Sequence, residues 1–286
     1  MNKKISKIVS TSLIIAVGAI SIGMMPVKVE AANTTTNTPK TSSSTTDNSN
    51  VKPGYKLIIN RGPRVSTDST NEKKVIFNLK DNNGISKIVV KKYNTTTKKW
   101  DDITSNKGVS ISKDKTQLTI NASLIGKKGR SAKIYIATYD NSAKTNYSKR
   151  HYVVKRLKKV NDKKYFLINS APRISISEND FKDATKTAKE ALKQGTIGLV
   201  IRDNNGVQKL TVCDMNNNNK VFDEIKFDGK NTSEPVELKA LKNLKVKDGN
   251  YRIMLETTDS KGTKHKETVK ISAKYYKNPK IDKAVE

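Results

Sequence analysis

Short runs of hydrophobic residues, some alternating with polar ones, recur along the chain from about residue 55 onward. Residues 74–80 alternate between apolar and polar positions, and residues 197–202 are mostly apolar. A period of two is typical of β-strands with one buried face, and short continuous apolar runs are typical of strands in a core. Turn-forming segments rich in Asn and Gly separate these runs. The pattern therefore predicts a series of short antiparallel strands.

The strand pattern occurs twice in the same order. IINRGPRVS at 58–66 matches LINSAPRIS at 167–175, and DNNGISKIVV at 81–90 matches DNNGVQKLTV at 203–212. Two further pairs follow, namely 98–103 with 220–225 and 132–142 with 251–261. Four matching blocks in one order indicate a tandem duplication.

Each repeat predicts about seven strands in roughly 105 residues, which is typical of a β-sandwich. The DNNG segments are predicted to form hairpin turns, because Asn and Gly accept the positive φ that such turns need. Return strands are expected at 85–93 and 207–215. Later strands at 133–139 and 252–258 should turn at Asp140 and Asp259 into last strands near 152–155 and 268–272.

The second repeat carries a segment that the first lacks, SENDFKDATKTAKEALKQG, which has the signals of a helix at about 177–194. Ser177 can cap the helix, Asp180 completes a capping box, and Gly195 can close its end. One apolar face is formed by Phe181, Ala184, Ala188, Ala191 and Leu192. We expect this helix to cover an edge or end of the second sandwich, with a ligand-binding insertion as the alternative.

The ends of the chain predict export. Residues 1–31 have a basic start, an apolar middle and small residues at a cleavage point after Ala31, as in a secretory signal peptide. A retained membrane anchor is the alternative. Residues 32–54 are rich in Ser and Thr and are expected to be a disordered linker. The predicted domains are then 55–160 and 161–276, with a tail at 277–286 and no membrane span in the mature form.

The strand, the DNNG-I/V turn and a late strand ending in T-x-D resemble the tandem immunoglobulin-like modules of secreted and surface proteins of clostridial-type bacteria. The matching residues are 81–85 with 138–140 and 203–207 with 257–259. The resemblance implies an all-β fold of two tandem immunoglobulin-like β-sandwiches. Such modules act as spacers, adhesins or polymer-binding appendages, and the fold alone fixes none of these roles.

Charge adds the main functional signal. The net charge is +29 and apolar residues make up 34% of the chain. Residues 55–160 hold 25 basic and 7 acidic groups, whereas residues 161–286 hold 25 and 18. A surface this positive attracts polyanions and binds them more weakly as salt rises. The Lys- and Asn-heavy composition resembles that of Gram-positive bacteria. With the predicted export, we expect a basic protein at the cell surface or cell wall, held there without a covalent link.

We expect the densest basic runs to contact an anionic cell-envelope polymer such as teichoic acid, or a host glycosaminoglycan. The candidate polyanion-binding residues are Lys149, Arg150, Lys155, Arg156, Lys158, Lys159, Lys91, Lys92, Lys98 and Lys99. A general solubility charge with no specific partner is the alternative. Nucleic acid is not expected as the main target, because no recognition helix or RNA-binding motif is present.

Other chemistries have weaker support. Asp81, Asp140, Asp203 and Asp259 could bind calcium, but each predicted turn offers a single carboxylate, so turn formation is the better interpretation. One Cys, Cys213, and two His suggest neither a metal site nor a disulfide. We therefore expect no cofactor and no enzyme activity.

The sequence leaves three questions open. Trp100 and its counterpart Phe222 are expected in the core, with an exposed sugar-stacking platform as the alternative. Cys213 should point outward or lie at an edge, since Val212 beside it should face inward. The two other functional hypotheses are a protein-binding adhesin or inhibitor that uses a sheet edge or the 177–194 helix, and a secreted enzyme whose site is not visible in sequence.

Overall fold

Antiparallel strands make up most of the chain that the structure describes. This computed structural model describes residues 53–68, 71–161, 163–178 and 187–277, and they belong to one compact unit. The prediction of an all-β fold is confirmed. The predicted signal peptide, nearly all of the linker and the last nine residues of the tail lie outside the described residues. Within the described residues, no helix has the length and hydropathy needed to cross a membrane.

The elements are numbered here in chain order. The first nine strands are β1 Gly54–Arg61, β2 Arg64–Asp68, β3 Lys74–Lys80, β4 Ile85–Asn94, β5 Lys99–Asp102, β6 Val109–Ile111, β7 Gln117–Asn121, β8 Ser131–Asp140 and β9 Tyr147–Asn161. The next eight are β10 Lys164–Ser170, β11 Arg173–Glu178, β12 Ile197–Arg202, β13 Val207–Asp214, β14 Lys220–Lys226, β15 Ser233–Leu238, β16 Tyr251–Asp259 and β17 Lys264–Tyr276. The helices are α1 Ala122–Ile125 and α2 Ala188–Gln194, with 3₁₀ turns at Met215–Asn217 and Leu241–Asn243.

One long sheet of ten strands runs through both repeats. Its main path is β14-β13-β16-β17-β9-β8-β4-β5, with β1 also paired to β17 and β10 to β9. The two halves join where β17 meets β9, and Lys266 there lies opposite Lys149. A first small sheet has the order β2-β3-β7-β6, and a second small sheet has the order β11-β12-β15.

Two hydrophobic cores lie between the small sheets and the long sheet. In the first core, Phe77 of the first small sheet packs with Ile134 and Tyr152 of the long sheet. The second core joins Leu199 to Ile253 and other apolar residues of the long sheet in the same way. Full burial of such a side chain contributes roughly 1.5–3 kcal/mol. The alternation predicted for β3 is confirmed, since Val75, Phe77 and Leu79 are all buried.

The DNNG segments form corners between sheets, so the prediction of hairpins there is wrong. β3 belongs to the first small sheet and β4 to the long sheet, and the two do not pair. The local turn chemistry is as predicted, because the Asp81 carboxylate accepts the Asn83 N–H at 2.8 Å and Gly84 and Gly206 have φ of 74° and 84°. The strand after each turn pairs with a strand distant in sequence, which local turn propensity does not reveal.

The later hairpins are confirmed. β8 pairs with β9 and β16 pairs with β17. The Asp140 carboxylate accepts the backbone N–H of Asn146 at 2.7 Å. The Asp259 carboxylate accepts the N–H of Thr263, also at 2.7 Å. Both carboxylates are fully buried and hold the turns through hydrogen bonds.

The first strand of each repeat pairs with the last strand of the other repeat. β1 lies beside β17, where Leu57 enters the second core. β10 lies beside β9, where Phe166 enters the first core. The exchange is symmetrical, because Gly62 N–H donates to Thr268 O at 3.1 Å and Ala171 N–H donates to His151 O at 2.9 Å. Strand pairing therefore crosses the sequence boundary near residue 160, while the predicted domain limits themselves stay a prediction.

The inserted segment of the second repeat contains a shorter helix than predicted. Ser177 lies in β11 rather than at the start of a helix, and residues 179–186 lie outside the described residues. α2 begins after Thr187, whose side chain accepts the Glu190 N–H. The Glu190 side chain accepts the Thr187 N–H in return, which completes a capping box. Gly195 follows the helix as predicted. Leu192 joins Leu57 in the second core, so α2 covers the β1 side of that core.

Candidate polyanion-binding face

Alternation along the central strands separates a core-facing side from an outer side of the long sheet. Ile134 and Tyr152 are buried in the first core, and their sequence neighbours Tyr135 and His151 lie on the opposite side of the same strands. We call this opposite side, at the junction of the repeats, the aromatic–basic face. Its residues are Tyr93, Trp100, Lys133, Tyr135, Tyr139, Tyr147, Lys149, His151, Lys264 and Lys266.

Aromatic rings form a continuous cluster on this face. The Trp100 ring stacks on the His151 ring, with centroids 5.2 Å apart and planes 9° apart. Tyr93 meets Trp100 edge to face at 5.4 Å, and Tyr135 lies at 5.9 Å. Trp100 is therefore outside both cores, which corrects the expectation that it packs between sheets. Its counterpart Phe222 does pack against the second core, as expected.

Lysines lie directly over or beside these rings. Lys149 Nζ is 4.2 Å from the Tyr147 ring centroid, and Lys133 Nζ is 5.5 Å from that of Tyr93. A cation over an aromatic face is attracted by the ring quadrupole, which holds the ammonium group near the rings. The face thus combines flat stacking surfaces with fixed positive charge.

The positive charge of the face is only partly neutralised. Burial, and then the charges of Lys266 and Lys91, lower the pKa of Lys149. Glu256 binds Lys266 at 2.6 Å and Lys264 at 3.3 Å. Burial raises the pKa of Glu256, but these two lysines outweigh it and leave the pKa below its usual value. The single carboxylate of Glu256 thus forms ion pairs with two lysines. Lys149 forms no ion pair with a described residue.

His151 is neutral on this face near pH 7. Burial, followed by Lys264 and Lys133, lowers its pKa below the usual value. The Lys264 backbone N–H donates to His151 Nδ1 at 3.3 Å, which requires Nδ1 to carry no proton. A neutral ring stacks on Trp100 without adding charge. Burial likewise raises the pKa of Tyr135 to about 12, so its phenol also stays neutral.

The structure divides the predicted basic run at 149–159 between two sides of β9. Lys149 and Lys155 lie on the outer side, and Lys155 is exposed. Arg150 is buried on the core side, where its Nε donates to Ala171 O at 2.9 Å. Arg156 is half-buried and reaches Gly126 O at 3.4 Å. Lys158 and Lys159 are exposed farther along the strand.

The predicted lysines of the first hairpin are divided in the same way. Lys91 pairs with Tyr135 in register and belongs to the outer side, next to the aromatic–basic face. Lys92 pairs with the buried Ile134 and lies on the other side. Lys98 and Lys99 are exposed at the tip of the β4–β5 turn. Of the ten predicted residues, Lys149 and Lys91 are the two that the fold brings beside the ring cluster.

Sequence reasoning missed much of this face. Lys133, Tyr135 and Tyr139 alternate in the segment KIYIATY and could have been placed on one side of a strand from that pattern. Lys264 and Lys266 alternate in KHKE, but their position beside Lys149 depends on the pairing of β17 with β9. That pairing joins residues more than a hundred positions apart, and no local pattern encodes it.

The other candidates are Cys213 and a metal site. Cys213 lies on the side opposite Val212, as alternation predicts, but neighbouring side chains cover it and burial raises the pKa of its thiol. Among the residues that the structure describes, no group of three or more His, Cys, Asp or Glu side chains is arranged to hold a metal ion.

Comparison with known proteins returns no relative. No protein-family model, no curated protein and no solved structure matches the chain.

Proposed function

We propose that this chain is a secreted, non-enzymatic binding protein made of two tandem immunoglobulin-like β-sandwiches that follow a Ser/Thr-rich linker. Its proposed partner is an anionic polymer of the cell envelope, with teichoic acid as the first candidate and a host glycosaminoglycan as the alternative. The layered antiparallel sheets and the internal repeat support the architecture. The signal-peptide pattern at residues 1–31 supports the location.

The observation that carries the proposed function is the pairing of Lys149 with Lys266 across the junction of the repeats, beside the Trp100–His151 stack. Like charges directly opposite each other on neighbouring strands repel. Glu256 offsets the charge of Lys266, whereas Lys149 forms no ion pair with a described residue, so a partner that supplies negative charge would stabilise this pair. Repeating phosphates or sulfates would provide that charge. The rings of Trp100 and Tyr93 offer flat apolar surfaces on which the sugar or polyol backbone could lie.

The proposed function is tested by sedimenting the protein from residue 32 onward with purified Gram-positive cell walls. Walls with and without teichoic acid are compared across about 50–500 mM salt, a range over which screening becomes strong. We expect binding that requires teichoic acid and fades with salt. The double variant Lys149→Gln/Lys266→Gln should bind about threefold to tenfold more weakly, since partly exposed charge contacts are each modest.

The matched control removes the same charge elsewhere. Lys242→Gln/Lys245→Gln changes two exposed lysines of the second repeat, and it should leave binding within about twofold of the parent. Equal losses in the two double variants would mean that only diffuse charge attracts the polymer. Absence of wall binding at every salt concentration, with retention on heparin beads, would replace teichoic acid by a glycosaminoglycan as the partner.

A further inference from the structure

A cleft separates the first small sheet from the second, and it is distinct from the aromatic–basic face. Its volume is about 830 Å³, within the range of small-molecule sites. The walls are the edge strands β2 and β11, and the floor is the core side of β9 and β17. Floor residues include Ser148, Arg150, His265 and Glu267.

The floor carries a buried positive charge that forms no ion pair with a described carboxylate, and Asp203 and Glu267 attract it only from a distance. Arg150 is 5% exposed, and its guanidinium donates to the Ala171 carbonyl and to the Ser170 hydroxyl, both neutral acceptors. The neighbouring Glu267 is instead bound by Arg61, with Nε–Oε1 at 2.5 Å and Nη2–Oε2 at 2.9 Å. A buried charge without a counter-charge is costly, so an anion in the cleft would stabilise this floor.

The rest of the floor is held rigid by hydrogen bonds. His265 Nδ1 donates to Pro172 O at 2.9 Å, because a carbonyl can only accept. Burial holds the pKa of His265 well below its usual value, so the ring is neutral and its Nε2 accepts from the Ser148 hydroxyl at 3.0 Å. The neutral ring adds no charge to the cleft, and the floor keeps its net positive charge from Arg150.

The rim adds three exposed cations, which are Arg64, Lys80 and Arg173. Arg64 and Arg173 occupy the same position of the duplicated motif, RGPR and SAPR, and they line the cleft from opposite walls. Arg64 lies directly opposite Lys80, and Arg173 lies directly opposite Arg202. None of these four side chains forms an ion pair with a described residue. Cross-strand pairs of like charge are destabilising unless an anion lies between them.

We propose that this cleft binds a small molecule that carries two anionic groups, either phosphate or carboxylate. Arg64 and Arg173 each present a fork of N–H donors that matches two oxygens of such a group. Arg150 supplies positive charge from the floor. Val65, Ile174 and Ile176 line the cleft between these cations and can contact an apolar portion of the ligand. This site would act independently of polymer binding on the outer face.

The site is tested by isothermal titration of the purified protein with pyrophosphate and with citrate, which represent the phosphate and carboxylate arms. Titrations are made at constant ionic strength, with sodium chloride as the blank. We expect saturable binding of one molecule of at least one probe. Arg64→Gln and Arg173→Gln, both exposed positions, should each weaken it about tenfold or more, as expected for loss of a charge-assisted hydrogen bond.

Two controls separate the cleft from general charge and from the proposed polymer site. Lys242→Gln and the double variant Lys149→Gln/Lys266→Gln should bind the probe as the parent does. Loss of probe binding in either control to the extent seen in the arginine variants would overturn the site. So would the absence of saturable heat with both probes, or several weak equivalents per chain.

Discussion

His265 is a buried titratable side chain whose surroundings favour the neutral ring. Burial, followed by the charge of Arg150, holds its pKa well below the usual value, against the opposing effect of its hydrogen bond to Pro172 O. Protonation would also remove the acceptor that Ser148 uses. In the unfolded chain the same group titrates near pH 6.5. The folded state therefore binds fewer protons than the unfolded state below that pH.

This difference predicts acid destabilisation. The free energy of unfolding should fall as pH drops from about 6.5 toward the lowered folded pKa, by up to about 1.4 kcal/mol per pH unit for one proton. Urea unfolding at several pH values between about 5 and 7.5 measures the slope. His265→Gln should flatten it, while His151→Gln, at a less buried ring, should flatten it less. An unchanged slope in His265→Gln would contradict this account.

Gly206 is constrained both by its backbone and by its surroundings. Its φ is +84°, and a Cβ there would overlap the carbonyl of Gly229. Gly262 has a similar φ of +74° but open space around it. Gly262→Ala should therefore cost about 1 kcal/mol from backbone strain alone, and Gly206→Ala about 3 kcal/mol or more because the corner must also move. Urea midpoints of the two variants make the comparison, and equal midpoints would argue against the close contact.

At the scale of elements, the exchange of β1 and β10 joins the two repeats more tightly than a linker would. Leu57 of β1 lies in the second core, and Arg61 pairs there with the buried Glu267. Phe166 of β10 is likewise buried in the first core, which belongs by sequence to the first repeat. Each core thus depends on a strand that belongs, by sequence, to the other repeat.

Removal of β1 should therefore loosen the opposite end of the chain. In a protein that begins at Pro63, β17 loses one of its three neighbouring strands and Glu267 loses its Arg61 counter-charge. Hydrogen exchange should accelerate in β16 and β17 and change little in β4 and β8. A protein that begins at residue 53 is the matched control, since it retains β1.

A milder variant keeps this prediction testable where the truncated chain fails to fold. Leu57→Ala should cost about 2–5 kcal/mol, as for other buried leucines. The faster exchange should again lie in β16 and β17. Faster exchange confined to β2–β4 would show that β1 stabilises its own repeat instead.

The bounds of individual strands were predictable from sequence where the local pattern of apolar and polar residues determines them. The predicted strands at 74–80 and 197–202 have the same bounds in the structure as β3 and β12. The partners of those strands were not predictable, because pairing depends on the packing of distant segments. The hairpin expected at Asp81–Gly84 failed for this reason, since turn chemistry fixes a change of direction but not the sheet that receives the next strand.

The candidate face was likewise predictable only in part, because local pattern does not reveal which residues long-range pairing brings together. Its lysines could be counted along the sequence, but alternation sends Lys149 outward and Arg150 inward from one dense run. The ring cluster combines residues of four strands, β4, β5, β8 and β9. A basic run in sequence is thus a poor guide to a basic surface when the run lies on a β-strand.

At the scale of the whole molecule, the two repeats differ in charge, and their junction places lysines from both on one surface. Lys149 comes from the first repeat and Lys266 from the second. A polymer bound there would contact both repeats at once. Binding should therefore depend on the intact junction as well as on the total charge.

Trp100 offers a direct optical test, because it is the single tryptophan of the chain and lies in the ring cluster of the proposed face. Addition of purified teichoic acid at about 50 mM salt should change the Trp100 emission and protect it from acrylamide quenching. Both effects should disappear near 500 mM salt, where screening is short-ranged. In a Trp100→Phe/Phe222→Trp variant the reporter moves to a position packed against the second core, and the emission should no longer respond. A response of equal size from that variant would show that polymer contacts are not centred on the aromatic–basic face.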